Sequence, residues 1–84
     1  MGRKEKLKAK LDTLPKNFTW DELVSLMSLY GFKVFNAKRG SGRKFYNEEK
    51  DKLAIFHEPH PEKTLKKYVL SEVKTMLDEI DENE

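Results

Sequence analysis

Apolar positions along the chain change their spacing twice, and each change marks a boundary between elements. Leu7, Leu11 and Leu14 recur at i, i+4 and i+7 among lysines, which predicts one short helix within Met1 to Leu14, with a narrow apolar stripe and a stop at Pro15. Trp20, Leu23, Val24, Met27 and Tyr30 recur at helical spacing behind Thr19 and Glu22. That pair has the form of a capping box, typically worth about 1 kcal/mol, and Phe18 is placed to staple onto Leu23. Gly31 followed by apolar Phe32 has the form of a Schellman stop. From Phe32 to Phe56 the period shortens to two. Phe32–Asn36 and Arg43–Asn47 predict two strands around the permissive Gly40-Ser41-Gly42, and Asn47 to Asp51 turns the chain into a third strand over Leu53–Phe56.

Helical spacing returns in Val69, Leu70, Val73, Met76, Leu77 and Ile80, a last helix starting between Thr64 and Val69. Burying those side chains contributes on the order of 9 to 18 kcal/mol as an upper bound. Strands in direct succession with short loops make an antiparallel meander. The expectation is an α+β fold: a three-stranded antiparallel sheet, two main helices on one face, a polar face left to solvent, and an extra N-terminal helix. The chain divides into an accessory helix and linker (1–16), the domain proper (17–81) and an acidic tail (82–84).

With 84 residues the chain makes one domain, and a domain of that size buries only about 60 to 65% of its unfolded surface. A deep cofactor pocket does not fit, so no small-molecule cofactor is expected and a substrate bound across an open face is favoured. There is no cysteine, which removes disulfides, thiolate metal sites and a cysteine nucleophile and points to a reducing compartment. No apolar run approaches the roughly 20 residues of a membrane span, and no signal-peptide core follows the lysine-rich start. The expectation is a cytoplasmic protein with no membrane partner. Net charge is only +2, but Leu23 to Asn47 holds no acid while Asp78 to Glu84 holds no base. This segregation creates a field that the net count hides, with the acidic end able to lie back on the basic middle.

The candidate chemistry is concentrated in Leu53 to Pro61, LAIFHEPHP, which carries both histidines. His57 stands at a strand end and His60 lies between Pro59 and Pro61, in a stiff loop suited to proton transfer. Because His57 alternates with Leu53 and Ile55, a core-facing structural histidine is the alternative. As a metal site the pair has only Glu58 and Glu62 nearby, so no metal is expected.

The order helix, three strands, helix accompanies F-T-W-D-E-L (Phe18 to Leu23), Y-G-F (Tyr30 to Phe32), G-S-x-x-x-F (Gly40 to Phe45), and H-x-P-H-P followed by L-K-x-Y (His57 to Pro61, Leu65 to Tyr68). Together these resemble the HicA/YcfA family over roughly Phe18 to Ile80. The resemblance implies a double-stranded-RNA-binding-domain-like fold and a metal-independent mRNA endonuclease, silenced by a HicB-like antitoxin that covers its RNA face. In the better-known members the second strand opens Gly-Ser-His and that histidine is catalytic, whereas the matching position here is Gly42, with Arg43 beside it. Three readings follow: the chemistry has moved to His57 and His60, the chain binds RNA without cutting, or Gly42 is itself an inactivating change.

Metal-free RNA cleavage needs a base for the ribose 2′ proton, an acid for the leaving 5′ oxygen, and cations for the phosphate. His57 and His60 are the candidate base and acid. Lys38, Arg39, Ser41, Arg43 and Lys44 around the glycine hairpin, with Lys66 and Lys67 at the start of the last helix, are the candidate phosphate contacts, and Tyr46 is placed to stack on an unpaired base. Folds of this class read an A-form duplex by shape, across minor-groove 2′-hydroxyls and phosphates, so contacts to RNA are expected to be numerous, salt-sensitive and poor in sequence information.

Overall fold

The computed structural model describes residues 2–36, 42–59 and 62–83. It places them in the order α1 (Arg3–Asp12), α2 (Trp20–Leu29), β1 (Lys33–Asn36), β2 (Gly42–Asn47), β3 (Lys52–His57) and α3 (Lys67–Glu82). The three strands form one antiparallel sheet in the order β1-β2-β3. This is the α+β, double-stranded-RNA-binding-domain-like architecture, with α1 added in front.

Helix α2 begins and ends as its sequence requires. The Thr19 hydroxyl accepts from the Glu22 N–H at 3.1 Å and the Glu22 carboxylate accepts from the Thr19 N–H at 3.0 Å, closing the capping box. At the other end the Phe32 N–H donates to the Met27 carbonyl at 2.9 Å and the Gly31 N–H to that of Ser28 at 3.0 Å. These are the two bonds of a Schellman motif, with Gly31 at φ +91°. A side chain there would also press on Asn47, whose Nδ2 lies 3.2 Å from the Cβ position.

Asn47 is the buried polar residue of the core, 2% exposed. Its Nδ2 donates to the Tyr30 carbonyl at 2.9 Å and its Oδ1 accepts from the Lys50 N–H at 2.9 Å. One amide therefore ties the end of α2 to the end of β2 and shapes the turn into β3. In that turn Asp51 adopts φ +50°, a left-handed conformation that aspartate tolerates better than most residues.

The register decides which side chains reach the core. Phe45 faces Ala54 and Arg43 faces Phe56 on the helix side, while Lys44 faces Ile55 and Tyr46 faces Leu53 on the other. Phe45 stacks edge-on to Trp20 at 5.7 Å between ring centroids and lies 5.6 Å from Phe56. Leu23, Leu26 and Met27 of α2 and Leu70, Val73, Leu77 and Ile80 of α3 complete this core together with Phe18 and Leu65.

Here the sheet departs from the expectation of a polar outer face. Leu53 is 57%, Ile55 54% and Phe35 48% exposed, all on the side away from the helices. The run Leu53-Ala54-Ile55-Phe56 is apolar at both parities, so alternation alone could not choose the buried side. The larger Phe56 takes it, and His57 stands outward with Ile55 as an exposed residue.

Helix α1 is part of the same core. Leu11 is fully buried, and Leu7 and Leu14 pack against the cluster. Two of its lysines, Lys8 and Lys10, are paired with acids. Lys8 lies 2.6 Å from both Asp12 and Asp78, Lys74 lies 2.6 Å from Asp78, and Lys10 lies 2.8 Å from Glu22 of the capping box. Partial burial opposes ionisation of Glu22, but donors from Lys10 and Thr19 overcome it and hold the carboxyl below its usual range. The turn of the glycine hairpin on which the acidic end is expected to lie is outside the described residues; what is described of that end is engaged elsewhere. Helix α3 runs through it to Glu82, the Tyr30 hydroxyl donates to Asp81 at 2.9 Å, and Glu79 stands 3.8 Å from Lys52.

Truncating Leu11 to alanine is expected to lower unfolding stability by about 2 to 5 kcal/mol in urea titrations, as for a fully enclosed leucine. A loss under about 0.5 kcal/mol would match a surface position and contradict the packing of α1. Hydrogen bonds from Lys74 and then Lys8 hold Asp78 below its ordinary 3.8, so its contribution is complete above that pH and is lost as pH falls through the lower folded value. The Tm values of the parent and Asp78→Asn should converge on acidification below about pH 4, and a gap independent of pH would show the network to be inert.

Candidate functional site

The far end of the β2–β3 ladder carries the candidate chemistry. Gly42, the first residue of β2, is the cross-strand partner of His57, the last residue of β3. Directly opposed residues project to the same face, so Gly42 and the His57 ring are lateral neighbours on the outer side of the sheet. Two residues further along each strand, Lys44 and Ile55 form the next pair on that face.

His57 also opens onto a cleft of about 360 Å³ where β3 leads through Glu58 and Pro59 toward α3. Lys66, Tyr68 and Val69 from the start of α3 line its far wall, with Glu62 and Leu65 between. The segment before α3 is fixed by backbone bonds to the start of α2: the Trp20 N–H donates to the Lys63 carbonyl and the Leu65 N–H to that of Phe18, both at 2.9 Å. A second hollow of about 370 Å³ shares Glu58, Pro59 and Glu62 and continues to Thr19, Trp20 and Asp21. The cleft thus combines an imidazole, an ammonium and a phenol with two carboxylates. Among the described residues, no group of three or more His, Cys, Asp or Glu is placed to hold a metal ion.

The other expected site residues divide by position. Lys44 and Tyr46 stand on the outer face with His57. Arg43 stands on the helix side, where a guanidinium nitrogen lies 3.4 Å from Glu58, so this cation is partly committed within the chain. Lys66 reaches the cleft, while Lys67 is exposed at the start of α3 and lines a shallow groove with Lys16 and Pro15. Lys38, Arg39, Ser41 and His60 lie outside the described residues.

Two residues beside the candidate site, Tyr68 and Phe35, were not proposed from the sequence as site residues. Tyr68 is 65% exposed at the cleft wall. It sits just before Val69 and Leu70, off the apolar stripe of α3, and an aromatic ring in that place is the signal that could have found it. Phe35 lies across β2 from Ile55, opposite Lys44. Its own strand is apolar at two adjacent positions, Val34 and Phe35, which hides the side on which it emerges.

By fold and site the chain is a small α+β domain with an open, cationic and partly apolar sheet face beside a histidine-bearing cleft. A family model described as HicA toxin of bacterial toxin-antitoxin matches residues 20–79. The chain belongs to this family of toxins. Membership implies, in general terms, a cognate antitoxin partner and an RNA substrate. No curated protein and no solved structure matches the chain. No helix among the described residues is long and apolar enough to cross a membrane.

Tyr46 provides a check on the outer face. Its hydroxyl donates to Asp51 at 3.0 Å, and this bond, with the carboxylate charge, raises the phenol above its ordinary 10.0. In an NMR pH titration Asp51→Asn, which retains tolerance of the left-handed backbone, should bring the Tyr46 transition down toward that value. An unchanged midpoint would mean that the phenol is not held by Asp51.

Proposed function

We propose that this toxin is an endoribonuclease of the mRNA-interferase type, acting in the cytoplasm without a metal and neutralised by a HicB-like antitoxin that covers the outer sheet face and cleft. The observation that carries the reading is the pairing of Gly42 with His57. The imidazole lost at one strand is replaced by an imidazole directly across the ladder, so that a phosphodiester brought to the family's reacting position meets His57.

In the reaction, His57 takes the proton from a ribose 2′ hydroxyl, the 2′ oxygen attacks the adjacent phosphorus, and the bond from phosphorus to the 5′ oxygen breaks. A second group returns a proton to that oxygen, leaving a cyclic 2′,3′-phosphate and a 5′ hydroxyl. His60 is the proposed donor for this second transfer. Lys66, on the cleft wall, offsets the charge that gathers on the phosphoryl oxygens. Lys38, Arg39, Ser41, Arg43, Lys44 and Lys67 are proposed to hold the flanking backbone.

A specific observation favours a second reading, a module that binds RNA without cutting it. Position 42 is glycine and neighbouring Arg43 is engaged with Glu58, so neither supplies a proton-transfer group there. The two readings separate in one experiment, cleavage of a mixed RNA pool in EDTA. A proton-transfer role predicts a rate loss of about 10²- to 10⁴-fold in His57→Ala and again in His60→Ala. Equal rates from parent and His57→Ala would remove His57 from the chemistry. RNA affinity without cleavage at any enzyme concentration, with cleavage appearing in Gly42→His, would select the binding module.

A further inference from the structure

The outer face of the sheet is more apolar than a solvated surface requires. Phe35, Lys44 and Ile55 form one row across its three strands; Lys33, Tyr46 and Leu53 form the next; Gly42 and His57 stand beyond them. Phe35, Leu53 and Ile55 are each about half exposed, and three large apolar side chains gathered on one open face with cations between them have the make-up of a binding surface. Its charge is one-sided. The three strands contain no aspartate or glutamate, and Lys33 and Lys44 project outward between the apolar groups.

We propose that this face is a platform for single-stranded RNA, with a base stacked on Phe35 and the backbone held along Lys33 and Lys44 toward His57; the proposal rests on the nuclease reading above and sets the form of its substrate. A second copy of the chain would set lysines against lysines and is disfavoured. A duplex offers only phosphates, sugars and groove edges, and leaves Phe35, Leu53 and Ile55 facing polar backbone. An unpaired strand presents what the surface presents in complement: flat apolar base faces alternating with anions. This differs from the duplex expected of the fold, whose shape-based readout needs no exposed aromatic ring on a sheet.

The geometry links the platform to the cleft. From Phe35 to His57 the path crosses two strand spacings and advances two residues along β3, a separation of roughly 12 Å. That distance is short enough for a base on Phe35 and a phosphate at the imidazole to belong to one strand. Tyr46 flanks the path, its hydroxyl tied to Asp51.

The test is fluorescence anisotropy at one fixed low salt concentration. The probes are an unstructured oligonucleotide of about 12 nucleotides and a duplex of about 16 base pairs, both 2′-O-methylated so that neither is cut. The single strand should bind more tightly than the duplex. Phe35→Ala should weaken it about 5- to 150-fold, the range for one lost base stack, while Phe35→Trp keeps it. Because Phe35 is half exposed, neither variant endangers the fold, and thermal unfolding verifies this. Unchanged single-strand affinity in Phe35→Ala, or preference for the duplex, overturns the platform. The nuclease reading survives that result if the parent still cuts unmodified RNA; absence of both binding and cutting removes both. Intact RNA affinity in Phe35→Ala and Ile55→Glu, together with loss of the antitoxin complex, assigns the face to a protein and also overturns the proposal.

Discussion

Every functional feature of the molecule depends on the register between β2 and β3. A slip of one residue would exchange the two faces, burying Lys44 and Tyr46 and turning Phe45 to solvent. Two constraints oppose it. The Phe45 ring is held between Trp20 and Phe56 in the core, and Asn47 is fixed at the other end by the Tyr30 carbonyl and the Lys50 N–H. Both hydrogen bonds of this amide are made inside the protein, where losing a partner costs about 1 to 3 kcal/mol. The same register that buries Phe45 sets Gly42 beside His57. Core packing and the candidate site are therefore consequences of one alignment.

The charged residues follow a second constraint. A chain so rich in lysine could have presented α1 as a basic arm. Instead Lys8 and Lys10 reach across to α3 and α2, and Lys4 lies 4.3 Å from the Tyr30 ring centroid. Each exposed pair contributes little by itself. Their joint effect is to pair Lys8 and Lys10 of α1 with acids of the other two helices, while the sheet strands themselves contain no acid. The positive field is thus assigned to the sheet side by pairing on the helix side, which a net charge of +2 does not reveal.

Sequence reading succeeded where a signal is local and failed where it is relational. The cap at Thr19 and Glu22 and the stop at Gly31 each lie within a few residues, and both appear in the structure with their expected hydrogen bonds. The strand order followed from short connections. Which face of β3 is buried could not follow, because Leu53, Ala54, Ile55 and Phe56 satisfy either choice until their partners on β2 are known. Commitment of the α1 lysines was equally hidden, since Lys8 and Asp78 lie 70 positions apart. Of the site, His57 and Lys66 were recognisable as chemical types, but the cleft that joins them arises where the end of β3 meets the start of α3, and no spacing in the sequence encodes that meeting.

A domain of 84 residues cannot surround its substrate. On the proposed reading the reacting groups sit at an edge, where the last residue of a strand meets the first turn of a helix, and binding comes from the surface leading there. This arrangement has a consequence for control. An enclosed active site is silenced by altering its shape, whereas a site at the rim of an open sheet is silenced by any partner that occupies the approach. Apolar groups at Phe35, Leu53 and Ile55 give such a partner hydrophobic area, and the lysines between them favour an acidic one. On the proposed reading, substrate and inhibitor compete for the same side chains. Exposure of that face, costly in water for a protein this small, is then explained by binding and by its control together.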